Sequence, residues 1–196
     1  MTKLATLAGI DFGAKLAGTT AMTTLRDSKF QIRDCQKGDD ADAWIVEQVA
    51  TQKIDIVFLD APLSLPPAYF NDHSTEFFYR KADAALGAMS PMFLGGLTAR
   101  AMKLKRLLTA KNVIVFETYP AALVREWFPE TKSYKKDLRG FRKELLVTTK
   151  KLDLPTPPSF KTFHQVDSLL AWISGYRHLT QQSLIYGSEE EGAIFI

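Results

Sequence analysis

Three short apolar runs that each meet a carboxylate constrain this chain more than any other feature: LATLAGID ends at Asp11, IDIVFLDAP carries Asp60, and NVIVFE ends at Glu117. A nearly continuous apolar run such as 54–62 suits a strand buried on both faces, as in a parallel sheet covered by helices. An Asp at the end of such a strand has an ordinary use, accepting the N–H groups of its own turn. It has a second use where the strands are parallel neighbours, because all three acids then reach the same end of the sheet. Gathering them there is costly unless a cation lies among them.

The remaining segments supply the rest of such a sheet. AGTTAMTTL (17–25) and KFQIRDC (29–35) read as second and third strands, joined by short turns into an antiparallel meander with the first. Helices are expected over 39–52, 75–87, 97–110, 120–128, the basic stretch beyond 132, and 163–182. APLSLPPAYFND, broken by prolines, reads as a loop over one end of the sheet, and the tail SLIYGSEEEGAIFI as a closing hairpin. With 196 residues, 46% of them hydrophobic, the chain can bury one full core. The expected fold is therefore α/β: a mixed five-stranded sheet, meander 1-2-3 followed by parallel strands 4 and 5, with flanking helices in a single domain, 1–196.

The last helix adds a fourth acid. In HQVDSLLAWISGY, Asp167 stands among apolar residues, and His164 precedes it by three positions, on the same side of a helix. Asp11, Asp60, Glu117 and Asp167 would together offer only oxygen donors, which suits Mg2+ or Mn2+, one ion or two, activating water and stabilising a leaving oxygen in phosphodiester hydrolysis. Each acid also has a plain structural use: Asp60 as a turn cap, Asp167 as a helix cap, Glu117 as a partner for a nearby Lys.

The net charge of +3 is unevenly spread, with eight Lys or Arg between Lys132 and Lys151 against Asp137 and Glu144. Such a run serves as a solvated helix face or meets phosphates; in SYKKDLRGFRK, Lys135, Lys136, Arg139 and Arg142 are spaced to follow a nucleic-acid backbone. Tyr134 and Phe141 are available for stacking on bases or for packing on the core. Lys15, just past the first strand's turn, is a candidate phosphate contact. Arg80 in RKAD pairs with Asp83 or holds a phosphate, and Arg100 bonds a carbonyl or reaches substrate. A single cysteine, Cys35, excludes an intramolecular disulfide, no apolar run approaches the length of a membrane span, and the opening residues lack a secretory leader pattern, so the expected compartment is the cytoplasm.

GIDFG, FLDAPLSLP, RKAD, ETYPAAL, the basic stretch, VDSLLAW and EGAIFI together resemble the predicted RNase H-like nucleases of domain-of-unknown-function family 429, over nearly the whole chain. The Asp-Ala-Pro and Glu-x-Tyr-Pro motifs are the most specific part of the likeness. The resemblance implies a metal-dependent phosphodiesterase site built from Asp11, Asp60, Glu117 and Asp167, with nucleic acid, DNA or RNA, as partner. His164 occupies the place where related junction resolvases carry an Asp or His, and those relatives often work as dimers, for which the apolar AIFI tail would be an edge strand. Two other readings fit some of the same residues. One is a domain that binds nucleic acid or a partner without catalysis; the other is an actin-like ATPase or phosphotransferase, whose phosphate loop GIDFGAKLAGTT resembles.

Overall fold

The computed structural model describes residues 5–196; residues 1–4, and with them the start of the first expected strand at Leu4, lie outside the described residues. Among the described residues one mixed sheet of seven strands has the order β3-β2-β1-β4-β5-β7-β6. Strands β1 (Leu7–Asp11), β2 (Ala21–Arg26) and β3 (Lys29–Asp34) form the antiparallel meander. Strands β4 (Ile56–Asp60) and β5 (Ile114–Thr118) continue parallel to β1.

The tail hairpin, β6 (Ile185–Ser188) and β7 (Gly192–Phe195), forms as its pattern suggests but joins the same sheet, so the strand count is seven rather than five. β7 pairs parallel to β5, and the Thr118 hydroxyl donates to the Phe195 carbonyl at 2.7 Å. AIFI is therefore no edge: β7 lies between β5 and β6, and the backbone groups expected to meet a second copy are already paired.

Helices α1 (Ala41–Thr51) and α4 (Gly96–Thr109) cover one face, where Ile10, Val57, Leu59 and Val115 meet Ile45 and Leu104. Helices α5 (Pro120–Trp127), α6 (Leu138–Lys151) and α7 (Phe163–Leu179) cover the other, packing on Leu7, Phe58 and Ile194. Two short helices, α2 (Lys81–Leu86) and α3 (Pro91–Leu94), lie between β4 and α4. The helix expected over 75–87 begins only at Lys81, because the Glu76 carboxylate accepts from Phe78 N and Tyr79 N and holds that segment in a turn. In the basic stretch the helix likewise waits for its cap, Asp137, which accepts from Arg139 N; residues 132–137 form a turn with Lys135 at φ 61°. Among the described residues no helix is long and apolar enough to cross a membrane.

α7 lies unusually close to the sheet, and Gly9 is the reason. A Cβ there would stand 2.6 Å from Trp172 Cα and closer still to the Ser168 carbonyl, so any side chain would push the helix off β1. The contact is held by the buried Thr23–Ser168 hydroxyl pair at 2.7 Å, by Gln165 Nε2 donating to Asp34, and by burial of Val166, Leu169, Leu170 and Ile173. Each of those apolar side chains contributes about 1.5–3 kcal/mol. The docking fixes where everything on the first turns of α7 points.

Candidate metal centre

Asp11 and Asp60 are register partners on adjacent parallel strands, so both side chains leave the same face of the sheet, the face that α7 covers. Asp167, in the second turn of α7, meets them from above. One carboxylate oxygen of each of the three lies within 4.8 Å of the others. Asp11 is held by His164 Nδ1 at 2.8 Å. Asp167 accepts from the Tyr134 hydroxyl at 2.9 Å and forms an ion pair with Lys135, whose ammonium also lies over the Tyr134 and Phe163 rings. Among the described residues no hydrogen bond or ion pair reaches the Asp60 carboxylate.

The electrostatics follow from that placement. Burial first, then the charges of Asp11 and Asp167, pushes the Asp60 carboxyl well above the ordinary range. Asp167 is pushed up to about 6, by burial above all and partly offset by Lys135. The His164 imidazole is raised because its hydrogen bond to Asp11 favours the protonated ring, and burial raises the Tyr134 phenol. Three acids with one ammonium and one imidazole beside them leave a deficit of positive charge at this end of the sheet.

Glu117 does not join them. Its register partner on β4 is Leu59, one residue short of Asp60, so its side chain leaves the opposite face. There it accepts from both terminal nitrogens of Arg80 and from Leu63 N. Burial raises its carboxyl, and Arg80 opposes that shift. Arg80 is fully buried, and all of its guanidinium N–H groups are used: Nε and Nη2 on Asp83, Nη1 on Ser64 and Glu117, Nη2 again on Glu117. With no donor left, Arg80 is a structural ion-pair residue and not the phosphate ligand considered for it.

The other basic candidates divide in two. Lys15 pairs with Asp40 at 2.9 Å, and Arg100 is committed to Asp42, the Gly13 carbonyl and the Phe12 ring. Arg142 donates to the Pro157 and Pro158 carbonyls and pins that loop. Thus Arg100 and Arg142 serve the scaffold, because their donors end on backbone or on a carboxylate away from the acids. Lys135 is beside Asp167, while Lys136 and Arg139 are exposed on the turn and first turn that follow it. Sequence reasoning did not anticipate the Tyr134 hydroxyl on Asp167 or the pairing of Lys135 with it: partners more than thirty positions apart leave no spacing signal. Phe141 packs in the core against Phe128 and Tyr134, which removes it from stacking on a base.

Two of the clustered acids, Asp11 and Asp60, line a cleft of about 320 Å3 together with Asp83 and Glu117. The chain matches no family model and no curated protein.

Proposed function

We propose that Asp11, Asp60 and Asp167 hold one or two divalent cations, Mg2+ or Mn2+, and that the protein is a metal-dependent phosphodiester hydrolase acting on nucleic acid. The observation that carries the reading is the convergence of three carboxylates within 4.8 Å, one of them without a cation or donor partner among the described residues. A donor set made only of carboxylate oxygens fits a hard cation, and the raised carboxyls of Asp60 and Asp167 mark charges that a cation would stabilise. The finer fold assignment belongs to the same proposal. An antiparallel meander, a helix, the strand order 3-2-1-4-5 with β4 and β5 parallel to β1, and a late helix bearing an acid support an RNase H-like domain, extended here by the β6/β7 hairpin.

In this reading the cation, when bound, activates water and neutralises charge on the phosphate. The chain's own groups do the rest. His164 orients Asp11 through Nδ1, and its half-exposed ring is placed to carry a proton to or from the reacting oxygens. Lys135, with an ammonium about half exposed beside Asp167, meets a phosphate oxygen, and Lys136 and Arg139 attract the backbone that continues from it. Glu117 acts through Arg80 and Leu63 as a support for the β4–β5 end and does not bind the ion.

Isothermal titration of Mn2+ and Mg2+ into the wild type, Asp11→Asn and Asp60→Asn tests the centre, followed by cleavage assays on DNA and RNA with Mn2+. Binding lost in either variant, with metal-dependent cleavage, supports the reading. No metal binding with or without nucleic acid would make the acids structural and favour a domain that binds without catalysis; metal-dependent ATP hydrolysis would favour phosphotransfer.

A further inference from the structure

The proposed activity leaves the form of the substrate open, and the cleft beside the acids addresses it. Its volume, about 320 Å3, is at the lower end of small-molecule sites. Phe12, Ala61, Pro62, Met89, Leu94 and Leu97 make much of its wall, and among the described residues no Lys or Arg lines it. Its polar lining includes Asp83 and Glu117, whose oxygens are fixed by Arg80; Asp83 Oδ1 and Glu117 Oε1 each accept a single bond from it and keep acceptor capacity toward N–H groups. A phosphate is repelled by such walls, whereas a flat, uncharged heterocycle with N–H groups on its edge is suited to them. The exposed basic groups, Lys135, Lys136 and Arg139, belong instead to the segment that meets Asp167.

We infer that the cleft takes the base of one unpaired nucleotide, with its phosphate at the Asp11–Asp60–Asp167 cluster, so that the substrate is single-stranded or frayed nucleic acid, or a free nucleotide, and not continuous duplex. The assignment of the phosphate rests on the metal-centre reading; the seating of the base rests on the cleft alone. A base stacked and paired inside a duplex cannot enter a recess of this size without leaving the stack. Next to Leu94 in the chain, Phe93 is 64% exposed, with the Phe78 and Tyr79 rings 5.9 and 6.0 Å from it, and these faces are open to the neighbouring base of a single strand.

The test uses the full chain with Ca2+ in place of Mn2+, so that binding is read without turnover. A fluorescent single strand, the same strand fully paired, and a 5′-mononucleotide are titrated against the wild type and Ala88→Trp, which fills the cleft from its half-buried margin. Single strand binding at least tenfold tighter than duplex, and at least tenfold weakened in Ala88→Trp at unchanged Mn2+ affinity, is the expected result. Mononucleotide binding as tight as the strand identifies a free nucleotide as the source; a much tighter strand identifies the polymer.

Equal or tighter binding of duplex overturns the inference, as does an Ala88→Trp variant that binds the strand like the wild type. In EDTA, an uncharged nucleoside should shift the Met89 methyl resonance of the wild type, and no shift there overturns the seating of the base whatever Ala88→Trp does. That arm needs no metal, so failure of the metal centre and failure of the cleft are separate results.

Discussion

Asp60→Asn should stabilise the metal-free protein and abolish its response to Mn2+. Two unit charges 4.8 Å apart, the outer separation within the cluster, repel by about 3.5 kcal/mol at an effective dielectric constant of about 20. Where Asp60 is ionised, the substitution removes two such pairs, with Asp11 and with Asp167, while the loss of attraction to Lys135 and to a protonated His164 returns part of the gain. A net stabilisation of about 2–3.5 kcal/mol raises Tm by roughly 4–14 °C in a domain of this length. The wild type should also lose stability with rising pH. The Asp167 carboxyl, at about 6 in the folded chain against 3.8 ordinarily, binds its proton more tightly folded than unfolded. Stability therefore falls as pH rises through that window, and above it the full penalty of about 3 kcal/mol is present. The raised shifts of Asp60 and His164 have the same sign. Differential scanning fluorimetry at pH 8 in EDTA should place the variant above the wild type. With Mn2+ at a hundred times its dissociation constant the wild type should gain about 2.7 kcal/mol and the variant none. A variant that melts at or below the wild type in EDTA and still responds to Mn2+ would refute the reasoning.

Gly9→Ala should drive α7 from β1, lowering the urea midpoint and weakening Mn2+ binding at least tenfold by parting Asp167 from Asp11; wild-type affinity in a folded variant would contradict the role given to Gly9. Arg80→Ala should cost about 3–5 kcal/mol in urea denaturation by leaving Asp83 and Glu117 buried without their cation. Adding Glu117→Gln to it should recover part of that loss, and no recovery would argue against the ion triad. Lys135→Met should move the Asp167 carboxyl above about 6 in a carbon-detected NMR titration of the apo protein, because the ammonium now holds it down. An unchanged or lower midpoint would mean that Lys135 does not act on Asp167.

What could be read in the sequence was the part governed by local pattern. Apolar runs and their closing acids mark β1 and β4, and an Asp among apolar neighbours marks Asp167 as buried on α7, so the three members of the cluster are visible before any coordinates. Glu117 shows the limit. Its strand and direction are as expected, but a single residue of register decides which face it leaves, and no local feature of NVIVFE encodes that register. The same limit hides the sheet's extent: the tail hairpin is legible as a hairpin, whereas its pairing with β5 depends on packing across the chain. Arg80 was legible as an ion-pair residue through its spacing to Asp83, but its second partner lies 37 positions away.

Because Gly9 admits α7 directly onto β1, the centre unites the two ends of the chain's own chronology. Asp11 and Asp60 leave the ribosome early, yet β1 has a bare face and the cluster lacks its third acid until α7 has emerged and docked, 156 positions after Asp11. A nascent chain, or one cut in the loop before Thr162, carries two repelling carboxylates and no Asp167 or His164 to complete them. On the proposed reading, competence to bind metal belongs to the finished fold, because Asp167 and His164 reach Asp11 and Asp60 only once α7 has docked.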